Sequence, residues 1–282
     1  MHSIFRNSRI KTSQGMLFWR EIGEGTPIIF LHGTWKDSSQ WISVMEMLAQ
    51  DFHCFAPDLL GFGESDFPNV HYSIDLQVEC LGQLLQALKR ALKQERVYLV
   101  GDSLGSWIAA SYALKYPEQI NGLVLLAPEG VEIQGQKKRW EKMQRIANRP
   151  PLVFQLLRLF RPLMKIFGLD QNIKQDWQLH QVMLQYPTAC ELLFQRQHLE
   201  IQAELLHDEL SFITVPVLIL QGEKDNQEAI AMSQLYAQYI PHTKLKIVAS
   251  TEDNLPESCS SAVGGDIRNF INSKNNAEIY YS

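Results

Sequence analysis

A serine between two glycines is the residue of this chain whose surroundings best fit nucleophilic chemistry. Ser103 lies in Gly101-Asp102-Ser103-Leu104-Gly105, directly after the apolar run 97–100 and before a helix-like run. Two glycines let a strand and a helix pass close together at a sharp turn, and the turn exposes the serine hydroxyl at the carboxyl end of a sheet. A helix N-cap would also favour serine, but it does not need flanking glycines. The spacing therefore predicts that Ser103 is a nucleophile.

The elements that must position this serine alternate along the chain. Short apolar runs predict strands, and longer stretches of helical periodicity lie between them. The predicted strands are 15–22, 27–31, 54–56, 97–100, 123–126, 215–220 and 245–248, and the predicted helices include 38–48, 74–92, 103–114 and 262–271. Such alternation predicts an α/β fold, with a mostly parallel central sheet and helices on both faces.

One long segment interrupts the alternation. Residues 131–211 show helical patterns without a strand signal. We therefore expect a core formed by residues 1–130 and 212–282, with residues 131–211 inserted as a helical cap.

Three further stretches join Ser103 in a family resemblance. They are Leu31-His32-Gly33-Thr34, the glycine-punctuated loop 57–65, and 220–225, which ends in Asp225. Together the four stretches resemble the α/β-hydrolase superfamily, in the capped branch that includes esterases, thioesterases, epoxide hydrolases and C–C bond hydrolases. The resemblance implies an oxyanion hole formed by the backbone amides of Thr34 and Leu104, and it places Asp225 at the acid of the catalytic triad.

The histidine of that triad is missing from its place in the sequence. The family's last motif is Gly-His followed five residues later by Glu, and alignment on Glu257 puts Glu252 at the histidine. A shift of one residue puts Asp253 there, and no histidine follows His242. A carboxylate with an ordinary pKa near 4 is a poor acceptor for a serine proton at neutral pH. Glu252 and Asp253 are therefore doubtful candidates for the base, and the alternatives are His71, which follows a loop at the carboxyl edge of the sheet, and the histidines of the cap, His180, His198 and His207.

Composition excludes several other functions. The chain has 282 residues, 45% of them hydrophobic, and it contains no apolar run of about 18 residues that would span a bilayer. The four cysteines are isolated, and neither a metal-ligand cluster nor a phosphate loop occurs. We therefore expect a soluble cytoplasmic protein with reduced thiols, no metal and no cofactor.

Charge is unevenly distributed. The net charge of −5 argues against nucleic acid as a partner, yet residues 131–165 carry nine basic and two acidic side chains. This basic segment predicts either a solvated cap face or a peripheral contact with an anionic membrane.

Three functions remain compatible with these patterns. The first is a serine hydrolase that cleaves a carboxylic ester or thioester with an apolar moiety. The second is a degenerate relative that binds a small apolar ligand or a partner without turnover. The third is a membrane-surface protein whose basic cap carries the function.

Overall fold

The computed structural model describes residues 4–150, 170–249 and 254–281. The chain divides into two compact units, one formed by residues 1–133 and 204–282 and the other by residues 134–203. The larger unit includes 204–211, which the sequence assigns to the insertion. The reason is local, since the Leu206 N–H donates to the Gly130 carbonyl at 2.8 Å, and the Trp107 indole Nε1 donates to the Glu204 carbonyl at 3.1 Å.

An eight-stranded sheet forms the larger unit. Its strands are β1 (Arg6–Lys11), β2 (Met16–Ile22), β3 (Thr26–Leu31), β4 (Phe52–Pro57), β5 (Val97–Asp102), β6 (Ile120–Leu126), β7 (Val217–Gly222) and β8 (Thr243–Val248). They are arranged in the order β1-β2-β4-β3-β5-β6-β7-β8. The pairs β1–β2 and β2–β4 are antiparallel, and every other pair in this sheet is parallel. The predicted α/β fold with a mostly parallel sheet is confirmed.

The chain continues to opposite sides of β3 in two successive connections. The chain leaves β3 for β4 on one side and then crosses to β5 on the other side. Where connections diverge in this way, the carboxyl ends of two parallel strands border a crevice, and ligands of open α/β sheets bind there. The loop after β3 carries Thr34, and the turn after β5 carries Ser103.

Helices of the larger unit cover the sheet. They are α1 (Ile42–Leu48), α2 (Ile74–Leu92) and α3 (Leu104–Lys115), followed after the insertion by the helices named below. The α2 helix begins at the cap residue Ser73, whose hydroxyl accepts a hydrogen bond from the Leu76 N–H at 3.0 Å. It ends at Lys93, which has left-handed backbone geometry. Nine of the twelve residues of α3 are buried, because this helix lies between β5 and α2.

The smaller unit is helical in the residues that the structure describes. It contains α4 (Gln136–Ala147), α5 (Asp170–Gln185), α6 (Pro187–Cys190), a π-helical turn (Glu191–Gln195) and α7 (His198–Ala203). The larger unit then continues with α8 (Gln227–Tyr239), α9 (Leu255–Ser258) and α10 (Ser260–Tyr281). None of the helices in the described ranges is long and apolar enough to cross a bilayer.

Aliphatic and aromatic side chains fill the space between the sheet and its helices. The core below the site includes Phe30 and Trp41, whose rings lie 5.1 Å apart, together with Val100, Leu126 and Leu220. Each of these five side chains is fully buried or nearly so. Strands β3, β5, β6 and β7 are therefore anchored just before their carboxyl ends, which keeps the loops that follow them in fixed register.

Candidate active site

The turn between β5 and α3 holds Ser103 in strained geometry. Its backbone angles are φ 50° and ψ −111°, outside the regions that side-chain-bearing residues normally adopt. The Ser103 N–H donates to the Leu126 carbonyl at 2.9 Å, and the Ser103 carbonyl accepts from Ser106 N at 3.0 Å and Trp107 N at 3.2 Å. These bonds to β6 and to the first turn of α3 stabilise the strained residue, which stays partly exposed to solvent.

The two flanking glycines are required by close packing. A Cβ on Gly105 would lie 2.3 Å from the Leu31 carbonyl oxygen, and one on Gly101 would lie 2.5 Å from backbone atoms of Gly105. Side-chain carbons do not approach backbone atoms so closely. The glycine spacing that singles out Ser103 in the sequence thus reflects direct contact of α3 with β3 and β5.

The loop after β3 brings Thr34 to the serine. Thr34 is 5% exposed, and its Oγ1 lies 3.0 Å from Ser103 Oγ, a hydrogen bond in which either hydroxyl can donate. The sequence predicts a role for the Thr34 backbone amide alone, so the side-chain contact is new. Leu104 is the first residue of α3, and its N–H therefore has no acceptor within the helix.

His32 fixes the peptide bond that carries the Thr34 amide. Its Nδ1 donates to the Gly33 carbonyl at 2.9 Å, and its Nε2 accepts from the Leu59 N–H at 3.1 Å. Because the carbonyl and the N–H of a trans peptide point in opposite directions, holding the Gly33 carbonyl also orients the Thr34 N–H. Burial lowers the pKa of His32, so the ring stays neutral, and both of its nitrogens are engaged. His32 is therefore an orienting group and not a base for Ser103.

The other described histidines have surroundings of their own. His53 lies at the amino edge of the sheet and packs against Phe55, with the rings tilted and a centroid distance of 4.1 Å. His71 and His242 are exposed, the latter directly before β8, and His207 Nε2 lies 3.1 Å from the Asp208 carboxylate. In the smaller unit, His180 stacks on Trp177 and His198 packs edge-on against Trp140. Among the residues that the structure describes, no histidine hydrogen-bonds to Ser103 Oγ, whose partner there is Thr34.

Asp225 follows β7 at the same edge of the sheet. Its Oδ2 accepts from Gln221 Nε2 at 2.9 Å, and its Oδ1 accepts from the Asn226 N–H at 2.7 Å. Gln221 is fully buried and its Oε1 accepts a further hydrogen bond from Ser233 in α8. The carboxylate therefore has a fixed position after β7, supported by α8.

Asp102 is a buried carboxyl group directly before Ser103. It is 7% exposed, and its Oδ2 accepts from Gln40 Nε2 at 2.8 Å. The pKa of Asp102 is raised to about 7, mainly by burial and in smaller part by the negative charges of Asp225 and Glu129, while the Gln40 hydrogen bond and Lys36 oppose the shift. A carboxyl group with this pKa changes its charge near neutral pH.

The predicted base positions cannot be placed in this arrangement. Glu252 and Asp253 lie outside the described residues. The described chain resumes at Asn254, which has a positive φ of 65°. Asn254 Oδ1 lies 3.5 Å from Gln40 Nε2, and Asn254 Nδ2 donates to Glu257 at 2.7 Å. Glu257 also accepts from Lys36 Nζ at 2.7 Å, and these bonds lower the pKa of Glu257. The start of α9 is thus tied to the segment after β3.

Other sequence predictions have partial counterparts in the structure. The basic segment 131–165 is described as far as Pro150, and Lys138, Lys142 and Arg145 are exposed on α4. Within the described ranges, no three His, Cys, Asp or Glu side chains are grouped as a metal site. All four cysteines are free thiols, and Cys54, Cys80 and Cys190 are buried.

Comparison with known proteins identifies related sequences. The model of the alpha/beta hydrolase fold family matches residues 26–257. Human monoacylglycerol lipase ABHD6 is 27% identical over 255 residues, which cover 86% of this chain and 71% of the lipase. A 2-hydroxy-6-oxo-2,4-heptadienoate hydrolase from Pseudomonas putida is 28% identical over 55% of the chain and 54% of that enzyme. An uncharacterized protein of Mycobacterium tuberculosis is 38% identical over 113 residues, 40% of this chain. That match spans only 32% of the mycobacterial protein's length.

Solved structures show the same fold. An esterase from Thermogutta terrifontis superposes with a TM-score of 0.71 at 20% identity, covering 95% of this chain and 99% of the esterase. A meta-cleavage product hydrolase from Pseudomonas fluorescens superposes with a TM-score of 0.70 at 20% identity, covering 94% of this chain and 97% of that one.

Proposed function

Because the chain belongs to the alpha/beta hydrolase fold family, we propose that it is a serine hydrolase that cleaves carboxylic esters or thioesters with an apolar moiety. The observation that carries this proposal is the strained Ser103 turn, with the Ser103 hydroxyl 3.0 Å from Thr34 in the crevice at the sheet's carboxyl edge. Backbone strain in a partly exposed residue is retained where the strain has a use. The monoacylglycerol lipase and the esterase among its relatives support an ester substrate.

In the proposed reaction, Ser103 Oγ attacks the acyl carbon and loses its proton to a base. The carbonyl oxygen becomes an oxyanion, which the amides of Thr34 and Leu104 stabilise. The intermediate collapses by breaking the bond to the alcohol or thiol, which leaves with a proton. Water then attacks the acyl-serine, and the acid is released while Ser103 regains its proton.

We assign the base to Glu252 or Asp253, the carboxylates at the position where the family has histidine. His32 is excluded by its two engaged nitrogens. A carboxylate base predicts slow turnover, because its driving force for taking a serine proton at neutral pH is small. Asp225, held by Gln221, would be the acid in this proposal.

The absence of histidine after His242 favours one alternative, a relative that binds an apolar ligand without turnover. Loss of a triad histidine costs on the order of 10⁶ in turnover in a serine protease. The two functions differ in whether Ser103 reacts at all.

The decisive experiment is labelling with a fluorophosphonate probe, combined with hydrolysis of short- and medium-chain p-nitrophenyl esters. We expect labelling and hydrolysis in the wild-type protein, and loss of both in Ser103→Ala. Ser111→Ala is a matched control, since Ser111 lies on α3 and its hydroxyl donates to the Trp107 carbonyl. Glu252→Gln and Asp253→Asn then identify the base. An unlabelled wild-type protein would refute the hydrolase and favour binding without turnover.

A further inference from the structure

Gln40 joins the loop after β3 to the residue before the nucleophile. Its Oε1 accepts from the Gly33 N–H at 2.8 Å, and its Nε2 donates to Asp102 Oδ2 at 2.8 Å. Gln40 is 2% exposed, so its amide depends on protein partners for hydrogen bonds; besides these two short bonds, Nε2 has one longer contact, to Asn254 Oδ1 at 3.5 Å. A rotated amide would place its oxygen against the Asp102 carboxylate and its NH₂ against the Gly33 N–H. Only one orientation satisfies both neighbours while Asp102 is charged.

The Asp102 carboxylate also touches the oxyanion loop directly. A Cβ built on Gly33 would lie 2.4 Å from Asp102 Oδ2, so the carboxylate packs against the Gly33 backbone without space for a side chain. The Gly33 carbonyl belongs to the peptide bond whose N–H is the Thr34 oxyanion donor. Asp102 therefore contacts Gly33 directly and is linked to Gly33 a second time through the Gln40 amide.

Three charged side chains on different elements act on the Asp102 carboxylate. Asp225 after β7 and Glu129 after β6 are negative, while Lys36 on the loop after β3 is positive. Lys36 is itself paired with Glu257 of α9 at 2.7 Å. Gln40 supplies a direct hydrogen bond to Asp102 in the described structure, and no basic side chain there forms a salt bridge with Asp102. A buried carboxylate without a countercation is retained at an energetic cost, which indicates a use for its charge.

We propose that Asp102 and Gln40 are a positioning pair for the hydrolysis proposed above, in which the charged carboxylate orients the Gln40 amide and Gln40 holds the oxyanion loop against the nucleophile turn. Only the expected effect on reaction rates rests on the proposed function. Protonation of Asp102 weakens the hydrogen bond that anchors Gln40 Nε2, so Gln40 holds Gly33 less firmly and the Thr34 donor is less well placed. The active form is then the ionised one, and reactivity of Ser103 rises as pH passes through the pKa of Asp102, about 7.

The first test is NMR of the Gly33 amide, which does not depend on turnover. His32-Gly33 is the one His-Gly pair in the sequence, so carbonyl-¹³C histidine combined with ¹⁵N glycine identifies the Gly33 signal among the 16 glycines. We expect this signal to titrate with a midpoint near 7 in the wild type and to lose that titration in Asp102→Asn. In Gln40→Met, the Gly33 amide lacks its acceptor, and its exchange with solvent accelerates. A Gly33 signal that is constant through neutral pH, or that titrates equally in Asp102→Asn, would overturn the proposal.

The second test measures the rate of fluorophosphonate labelling against pH. We expect wild type and Asp102→Asn to react at similar rates at low pH, and wild type to react about tenfold faster at high pH. The difference should be smaller than the factor of about 10²–10³ that deletion of an oxyanion donor costs, because the Thr34 donor is displaced and not removed. KM for p-nitrophenyl esters should change little in comparison with kcat. Gln77→Met is the matched control, because buried Gln77 bridges the N–H and the carbonyl of Leu60 without a carboxylate partner.

The outcomes separate the two proposals. A rate ratio that is the same at every pH would overturn the positioning role, since a merely structural residue lowers all rates together. A wild-type protein that is not labelled would refute the hydrolase, and the titration of Gly33 would still decide whether Asp102 and Gln40 hold the loop.

Discussion

The hydroxyl of Ser103 is positioned by a second hydroxyl that the sequence does not single out. Thr34 Oγ1 is 3.0 Å from Ser103 Oγ and is buried, so water does not replace it easily. Because the Thr34 amide is also the proposed oxyanion donor, one residue would contribute to the site through its backbone and through its side chain. These contributions are separable, since substitutions of the side chain leave the amide in place.

Thr34→Val removes the hydroxyl while retaining the shape of the side chain. We expect the labelling rate of Ser103 to fall about tenfold, because a hydrogen bond of about 1 kcal/mol or slightly more orients the nucleophile. Thr34→Ser keeps a hydroxyl and should remain within about threefold of wild type. Equal rates in Thr34→Val and wild type would show that the contact has no role in reactivity.

Local sequence predicts some of these residues and not others. The flanking glycines predict a role for Ser103, and the family resemblance predicts one for Asp225 from its place after a strand. Gln40 and Asp102 are separated by 62 residues, and their pairing follows from the approach of the loop after β3 to the end of β5. No spacing rule encodes that approach, because it depends on how the sheet orders its strands.

At the level of elements, apolar runs predict most of the sheet. The α2 helix is predicted with the bounds that the structure gives, since its amphipathic pattern coincides with a Ser73 cap. The β1 strand is missed, because Arg6–Lys11 is mostly polar and exposed and pairs with β2 alone at the edge of the sheet. A central strand can be recognised in the sequence because its buried residues are apolar. An edge strand such as β1 lacks that signal, since it forms through its pairing with the neighbouring strand.

The contact of α3 with β3 leads to a prediction about Gly105. We expect Gly105→Ala to lower the free energy of unfolding by several kcal/mol, because the new Cβ would lie 2.3 Å from the Leu31 carbonyl and neither backbone can yield easily. Urea denaturation measures this loss. Gly265→Ala is the control, since Gly265 is in α10 with no heavy atom within 4 Å of an added Cβ. That variant should be neutral or more stable by up to about 1 kcal/mol. A Gly105→Ala protein as stable as wild type would contradict the packing described for the turn.

For the whole molecule, the charge of Asp102 couples stability to pH. Its pKa rises from 3.8 to about 7 on folding, so between these values the folded protein binds the proton that the unfolded chain has released. The folded state is therefore favoured below the unfolded pKa, and stability falls as pH rises toward 7. The full shift corresponds to about 4 kcal/mol.

Asp102→Asn removes this loss of stability. We expect its free energy of unfolding to be similar to that of wild type near pH 4 and to exceed it increasingly toward pH 8, as measured by urea denaturation at several pH values. The variant would then be more stable and less reactive than wild type, a combination that a residue retained for stability does not produce. Parallel stability curves for the two proteins would contradict the assignment.

Residues 134–203 leave the larger unit and return to it at a single point. The carbonyl of Gly130 and the N–H of Leu206, both in the larger unit, are joined by a 2.8 Å hydrogen bond, so the chain leaves and re-enters that unit at neighbouring positions. A segment with adjacent ends can be exchanged for another of different length without changing the register of any strand. Chimeras that graft the corresponding segment of a related hydrolase between residues 133 and 204 should therefore fold, which makes the insertion a replaceable cassette.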